Sequence, residues 1–273
     1  MGVCGWAFDA YLIFAIPLTV IGLMRFVFVK ETIDVQEKVS TRANFKDVWI
    51  VLKTNPYLRV VAILGFSFSA INSLRAGQYF FEWVMGDISL MSVIGIVGFV
   101  ALPLMIVLPR ILRRFTKRSL VVISSCMYVI GGLTFFLGGV NISISVVLIA
   151  GTFNALAAIP ISVLADLMLL DIGSFNAYKN GKRMDGTLTS VRNFLSLLGG
   201  ALAPGLLGIL LGLTGYDGAL QAQPDSAIFM IRVAMGLVPA VLFSLVAIAF
   251  VLFYKLDKLM PKIKQSMDDD IIM

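Results

Sequence analysis

Seven long apolar runs govern what this chain can become, at about 9–29, 60–84, 89–108, 119–138, 144–165, 187–213 and 228–254. Each is near the roughly 20 residues that a helix needs to cross the hydrocarbon core of a bilayer. The runs are continuous rather than alternating with period two, which argues against membrane strands. Hydrophobic residues make up 59% of the chain and charged residues 14%, where soluble domains carry about 45–50% and about 25%. A soluble globule of 273 residues has no interior able to hide that surface. The sequence therefore reads as an all-α, polytopic membrane protein with seven transmembrane helices.

Charge placement orients it. Nineteen of the 22 Lys and Arg residues fall in four segments: the stretch before the second run, Arg110–Arg118, the stretch from Lys179 to Arg192, and the tail from Lys255 onward. The opposite connections carry Asp87, Asp217 and Asp225 and no basic residue. By the positive-inside rule this predicts an N-terminus outside and a C-terminus in the cytoplasm. The net charge of +6 is accounted for by these segments, so nucleic acid is not an expected partner; the lipid bilayer is. No Lys or Arg precedes Arg25, and the first run is long for a signal peptide, so it reads as a true span. Phe45, Val48, Trp49 and Leu52 follow i, i+3, i+4, i+7 spacing. That predicts a short amphipathic helix, either on the inner membrane surface or against the inner ends of the bundle.

The inventory also excludes chemistry. The chain has no histidine, so no His-based triad or His-ligated metal is possible. Cys4 and Cys126 show no metal-ligand or redox spacing. With no nucleophile–base set, an enzyme is not expected, and no cofactor is called for.

Polar side chains within the runs are the candidate site, because ionisable groups in a bilayer are costly. Asn72, Arg75, Gln78, Tyr79 and Glu82 recur at steps of three or four, which would place them on one helix face. Such a face could line a water-filled cavity and bind a hydroxyl-rich or anionic solute, with Arg75 donating several hydrogen bonds. Alternatively, Arg75 pairs with Glu82 and only locks the helix. Asn154 sits near mid-depth as a solute contact or as glue between helices. Gly199, Gly200, Gly205, Gly208 and Gly212, with Pro204, make the sixth run glycine-rich and interrupted, a pattern suited to close packing and to transporters that rock between states. No carboxylate lies deep in any run. Asp9 and Glu82 fall near outer ends and Asp166 near an inner end.

One stretch carries a family pattern: Ala165-Asp166, Lys179, Gly181-Lys182-Arg183, Gly186, Thr189-Ser190 and then Gly215-Tyr216. Upstream, Asn55-Pro56 opens a span, and Tyr79-Phe80-Phe81 with Gly86-Asp87 closes it. Together these resemble the glycoside–pentoside–hexuronide:cation symporters, the melibiose-permease-like branch of the major facilitator superfamily. The resemblance runs from about Trp6 to Lys258. It implies a plasma-membrane carrier of sugars or glycosides driven by Na⁺ or H⁺, built of twelve helices in two six-helix halves with the substrate between them. The seven runs match the sixth to twelfth helices. On that match, residues 1–30 are the last helix of the N-terminal half and 31–59 a cytoplasmic linker. Residues 60–254 are the C-terminal six-helix half and 255–273 a cytoplasmic tail. The family's cation-binding acids would lie in the N-terminal half, so the coupling-ion site is expected there and not in this chain. A complementary N-terminal half-chain or a second copy is then the expected partner. The resemblance adds Lys179 to the substrate-binding candidates, beside Asn72, Arg75, Gln78, Tyr79 and Asn154; Arg183 reads as a membrane anchor. The competing functions are an inactive membrane partner or scaffold subunit and, more remotely, a seven-helix receptor. Against the receptor, no lysine lies in the last span and no Asp-Arg-Tyr follows the third.

Overall fold

A computed structural model describes residues 15–24, 53, 55–180 and 184–272. All the regular elements among the described residues are helical. The chain divides into two compact units, Met1–Arg42 and Ala43–Met273. In the first, the described part is one short apolar helix, α1 (Ala15–Met24), within the first predicted span. The second holds six helices long and apolar enough to cross a membrane: α2 (Pro56–Val84), α3 (Leu90–Arg114), α4 (Lys117–Asn141), α5 (Ile144–Asn180), α6 (Asp185–Leu213) and α7 (Asp225–Phe253), followed by α8 (Leu256–Ile272). These six coincide with the second to seventh predicted runs. The expected amphipathic helix around Phe45–Leu52 and the Gly181-Lys182-Arg183 motif lie outside the described residues.

Local signals start the helices. Asn55 caps α2, its side chain accepting from the Tyr57 and Leu58 N–H groups at 3.0 and 3.2 Å, and Pro56 opens the first turn. Pro is favoured there because it has no N–H to leave unsatisfied. Thr116 caps α4 through the Ser119 N–H. The connections are short, so neighbouring spans run antiparallel.

Two apolar cores fill the bundle. One, around Leu58, Tyr128, Leu164, Met168, Phe243 and Phe250, lies toward the end where the basic residues gather. The other, around Phe80, Phe81, Phe135, Ala150 and Ile231, lies toward the opposite end. Tyr128 stacks on Phe243 with ring centroids 4.0 Å apart. Where α4 meets α7 the backbones themselves touch: a Cβ on Gly236 would stand 2.7 Å from the Gly132 carbonyl oxygen. The predicted glycine cluster of α6 divides. Gly199 meets the Phe66 carbonyl of α2, whereas Gly205, Gly208 and Gly212 face open space. Those three therefore pack against nothing among the described residues.

Two helices outrun their predicted bounds. α5 does not stop at 165 but continues to Asn180, 37 residues in all, or about 55 Å at 1.5 Å per residue, against about 30 Å of hydrocarbon. The tail after 255 is helical as well. A polar network holds these projecting ends. Asn55 donates to Asn176 at 3.0 Å, both buried. Lys117 pairs with Asp171. The Arg118 N–H donates to Asp257 at 2.8 Å, and the Arg118 guanidinium donates to the Val251 carbonyl. Burial pushes the Asp257 carboxyl above its ordinary range, partly opposed by the Arg118 N–H.

A carboxyl whose folded pKa is raised binds its proton more tightly when folded. Its stabilising contribution is full below the unfolded value of about 3.9 and is lost as pH rises through the folded value. Asp257→Asn, which can still accept from Arg118, is therefore expected to gain on the parent as pH rises through that window. Thermal unfolding of both proteins in detergent from pH 4 to 7 checks this. A variant that loses stability relative to the parent as pH rises would contradict it.

Candidate functional site

Three helices meet around a polar pocket of about 330 Å³. α2 contributes Gly65, Ser69 and Asn72; α5 contributes Ser162 and Asp166; α6 contributes Arg192, Asn193 and Ser196. The centre is an ion pair, Arg192 Nη1 to Asp166 Oδ1 at 2.9 Å. The same nitrogen donates to Asn193 Oδ1 at 3.3 Å. Arg192 Nε is hidden from solvent with no hydrogen-bond partner. α2 and α6 approach closely here: a Cβ on Gly65 would come within 2.7 Å of Ser196 Oγ, and a Cβ on Gly199 within 2.5 Å of the Phe66 carbonyl oxygen. A smaller space of about 240 Å³ continues the pocket past Asp166 and Arg192 to Asp185 and Thr189. The arrangement offers hydroxyls, amides and one guanidinium toward a single opening. Such groups are of the kind that hydrogen-bond a polar solute.

The structure scatters the six predicted substrate residues. Asn72 lines the pocket, exposed, with its amide donating to the Phe68 carbonyl at 2.8 Å. Arg75 and Gln78 are exposed and lie outside it. The reason is a break in α2. Arg75 adopts a left-handed conformation (φ 52°), and residues Phe80–Val84 form a π turn. The turn at Arg75 separates Asn72 from Gln78 and Tyr79, and the π turn further displaces Glu82, so the five residues are not on one continuous helix face. No ion pair joins Arg75 to Glu82 among the described residues. Tyr79 instead belongs to an aromatic cluster at the acidic end. Its ring is edge-on to Tyr216 at 5.4 Å, and the Trp83 indole N–H donates to the Tyr216 hydroxyl at 3.1 Å. Asn154 packs on α4, at the place where a Cβ on Gly131 would lie, and its Oδ1 is buried without a partner. It is a contact between helices and does not line the pocket. Lys179, at the end of α5, is exposed and sits 5.9 Å over the Phe175 ring, also away from the pocket.

The pocket residues that were not among the substrate candidates are Ser69, Ser162, Asp166, Arg192, Asn193 and Ser196. Arg192 and Ser196, four apart, form a polar stripe on α6 and were the available signal. Arg192 is held by Asp166.

The break itself is testable. A left-handed L-residue costs about 1–2 kcal/mol that glycine does not incur. Arg75→Gly is therefore expected to unfold about 1 kcal/mol later than Arg75→Ala, since both lose the same side chain. Equal midpoints in detergent melts would show that the backbone is unstrained.

Six membrane-length helices around a cleft that is polar on one wall define a polytopic helical membrane protein of the kind that handles polar solutes. The chain belongs to the family described as MFS/sugar transport protein, whose profile matches residues 5–258. That family is one of transport proteins and not of enzymes. The chain is 29% identical over 269 residues to an isoprimeverose transporter of Lactiplantibacillus pentosus, covering 97% of this chain and 55% of that protein. It is 27% identical to a putative sulfoquinovose importer of Salmonella typhimurium (91% and 53% covered). It is likewise 27% identical to a glucuronide carrier protein homolog of Escherichia coli (96% and 58% covered). The chain thus spans about half the length of these relatives.

Proposed function

We propose that this chain forms the C-terminal wall of a sugar or glycoside carrier coupled to Na⁺ or H⁺. The wall works with a complementary N-terminal half supplied by a longer chain, a separate polypeptide or a second copy. The observation that carries this reading is the one-sided pocket built on Arg192–Asp166. Its hydroxyls and amides suit a polyhydroxylated solute, and the guanidinium suits one bearing an anionic group. The names of the relatives point to substrates of that chemistry. The basic ends of the helices support an orientation with those ends in the cytoplasm. Coupling acids are assigned to the other half. Among the described residues no cluster of three or more metal-ligating side chains occurs.

Proteoliposome uptake tests this. The chain alone, and the chain together with the N-terminal helices of the isoprimeverose transporter, would be offered radiolabelled isoprimeverose, lactose and a glucuronide under imposed Na⁺ or H⁺ gradients. Accumulation is expected only in the combined vesicles. Gradient-driven accumulation by the chain alone would defeat the half-carrier reading.

A further inference from the structure

α2 has two unlike sides. Gly65, Ser69 and Asn72 turn toward the polar pocket. Arg59, Ala62, Phe66, Ala70 and Leu74 follow helical spacing on the other side. That second side is grooved along its length. Near the basic end, a space of about 330 Å³ is bounded by Arg59, Ala62, Ile63, Phe66 and Leu195. Farther along, a space of about 420 Å³ lies between α2, α6 and α7, with Phe66, Leu74, Leu206 and Val241 among its walls. Phe66 borders both. Every wall residue is apolar except Arg59, which stands at one end, is exposed and joins no ion pair among the described residues.

These dimensions select an occupant. Arg59 to Leu74 is about 22 Å of helix, longer than the about 15 Å of hydrocarbon in one leaflet. A groove that is apolar along its walls and continuous past Phe66, with a single cation at one end, suits a linear hydrocarbon chain carrying an anionic head. The guanidinium at its mouth suits a phosphate. We propose that this groove is a binding site for an anionic phospholipid of the leaflet at the basic end. The phosphate rests on Arg59, and one acyl chain lies along Ala62, Phe66 and Ala70. Basic sites between helices on that side of a membrane attract such headgroups. The proposal does not depend on what the polar pocket carries.

Native mass spectrometry of the full purified chain tests it, with phosphatidylglycerol or phosphatidylcholine of identical acyl chains added. Phosphatidylglycerol is expected to be retained about fivefold better, equivalent to about 1 kcal/mol for one basic residue. Arg59→Gln is expected to erase that preference, while Arg113→Gln, an exposed arginine at the same end, keeps it. Val241→Trp, at a site that is 59% exposed and tolerant of bulk, fills the groove and is expected to lower retention of both lipids. Equal retention of the two lipids by the parent would overturn the site. So would loss of preference in Arg113→Gln as large as in Arg59→Gln, or unchanged retention in Val241→Trp. A dimer that excludes lipid and dissociates on Val241→Trp would also overturn it, by assigning the groove to a second copy.

Discussion

Gly236→Leu is expected to lower the stability of the bundle by about 3 kcal/mol, at the upper end of overpacking costs. A Cβ at Gly236 meets the Gly132 carbonyl at 2.7 Å, Phe136 Cβ at 2.7 Å and Phe136 N at 2.8 Å. Two of those atoms are backbone, so no rotamer change can give way, and α4 and α7 must move apart. Gly205→Leu is the matched comparison, because nothing lies within 4 Å of the added carbon there. It is expected to leave the midpoint nearly unchanged. Detergent unfolding monitored by circular dichroism reads both, and equal losses would show that α4 and α7 do not meet at glycine.

Arg192→Ala is expected to reduce uptake by the assembled carrier about 10- to 100-fold. That corresponds to losing charge-assisted hydrogen bonds of about 1.5–3 kcal/mol. Asp166 is left without its cation, but its side chain is 69% exposed, so water compensates and insertion into the membrane is expected to be unaffected. Arg192→Lys should rescue poorly, since an ammonium is a point charge without the planar fork. The measurement is radiolabelled sugar uptake normalised to the amount of inserted protein. Uptake that survives Arg192→Ala while Arg75→Ala abolishes it would move the site to the opposite end of α2.

The membrane class and six of the spans were legible because lipid imposes a long, unbroken apolar run that few other structures need. Asn55-Pro56 announced the start of α2 through cap chemistry that is entirely local. The end of α5 was not legible, because hydropathy marks where lipid stops and not where the helix stops. Residues Asp166–Asn180 keep their backbone ladder beyond the apolar stretch. Nor was the break at Arg75 visible: Leu74-Arg75-Ala76 contains none of the residues that favour a left-handed backbone. That single dihedral undid the inference of a shared face. The pocket escaped notice for a different reason. Asp166 and Arg192 are unremarkable alone, and they become a pair only where α5 and α6 meet beside α2, a fact of three helices rather than one.

The left-handed residue in α2 has a mechanical consequence. A continuous rod transmits a tilt from one membrane face to the other. A rod interrupted at Arg75 behaves as two levers sharing a pivot. The lever holding Gly65 and Asn72 can swing with the pocket while the lever holding Tyr79 and Trp83 stays docked on Tyr216. The two faces of this wall therefore need not open and shut as one slab.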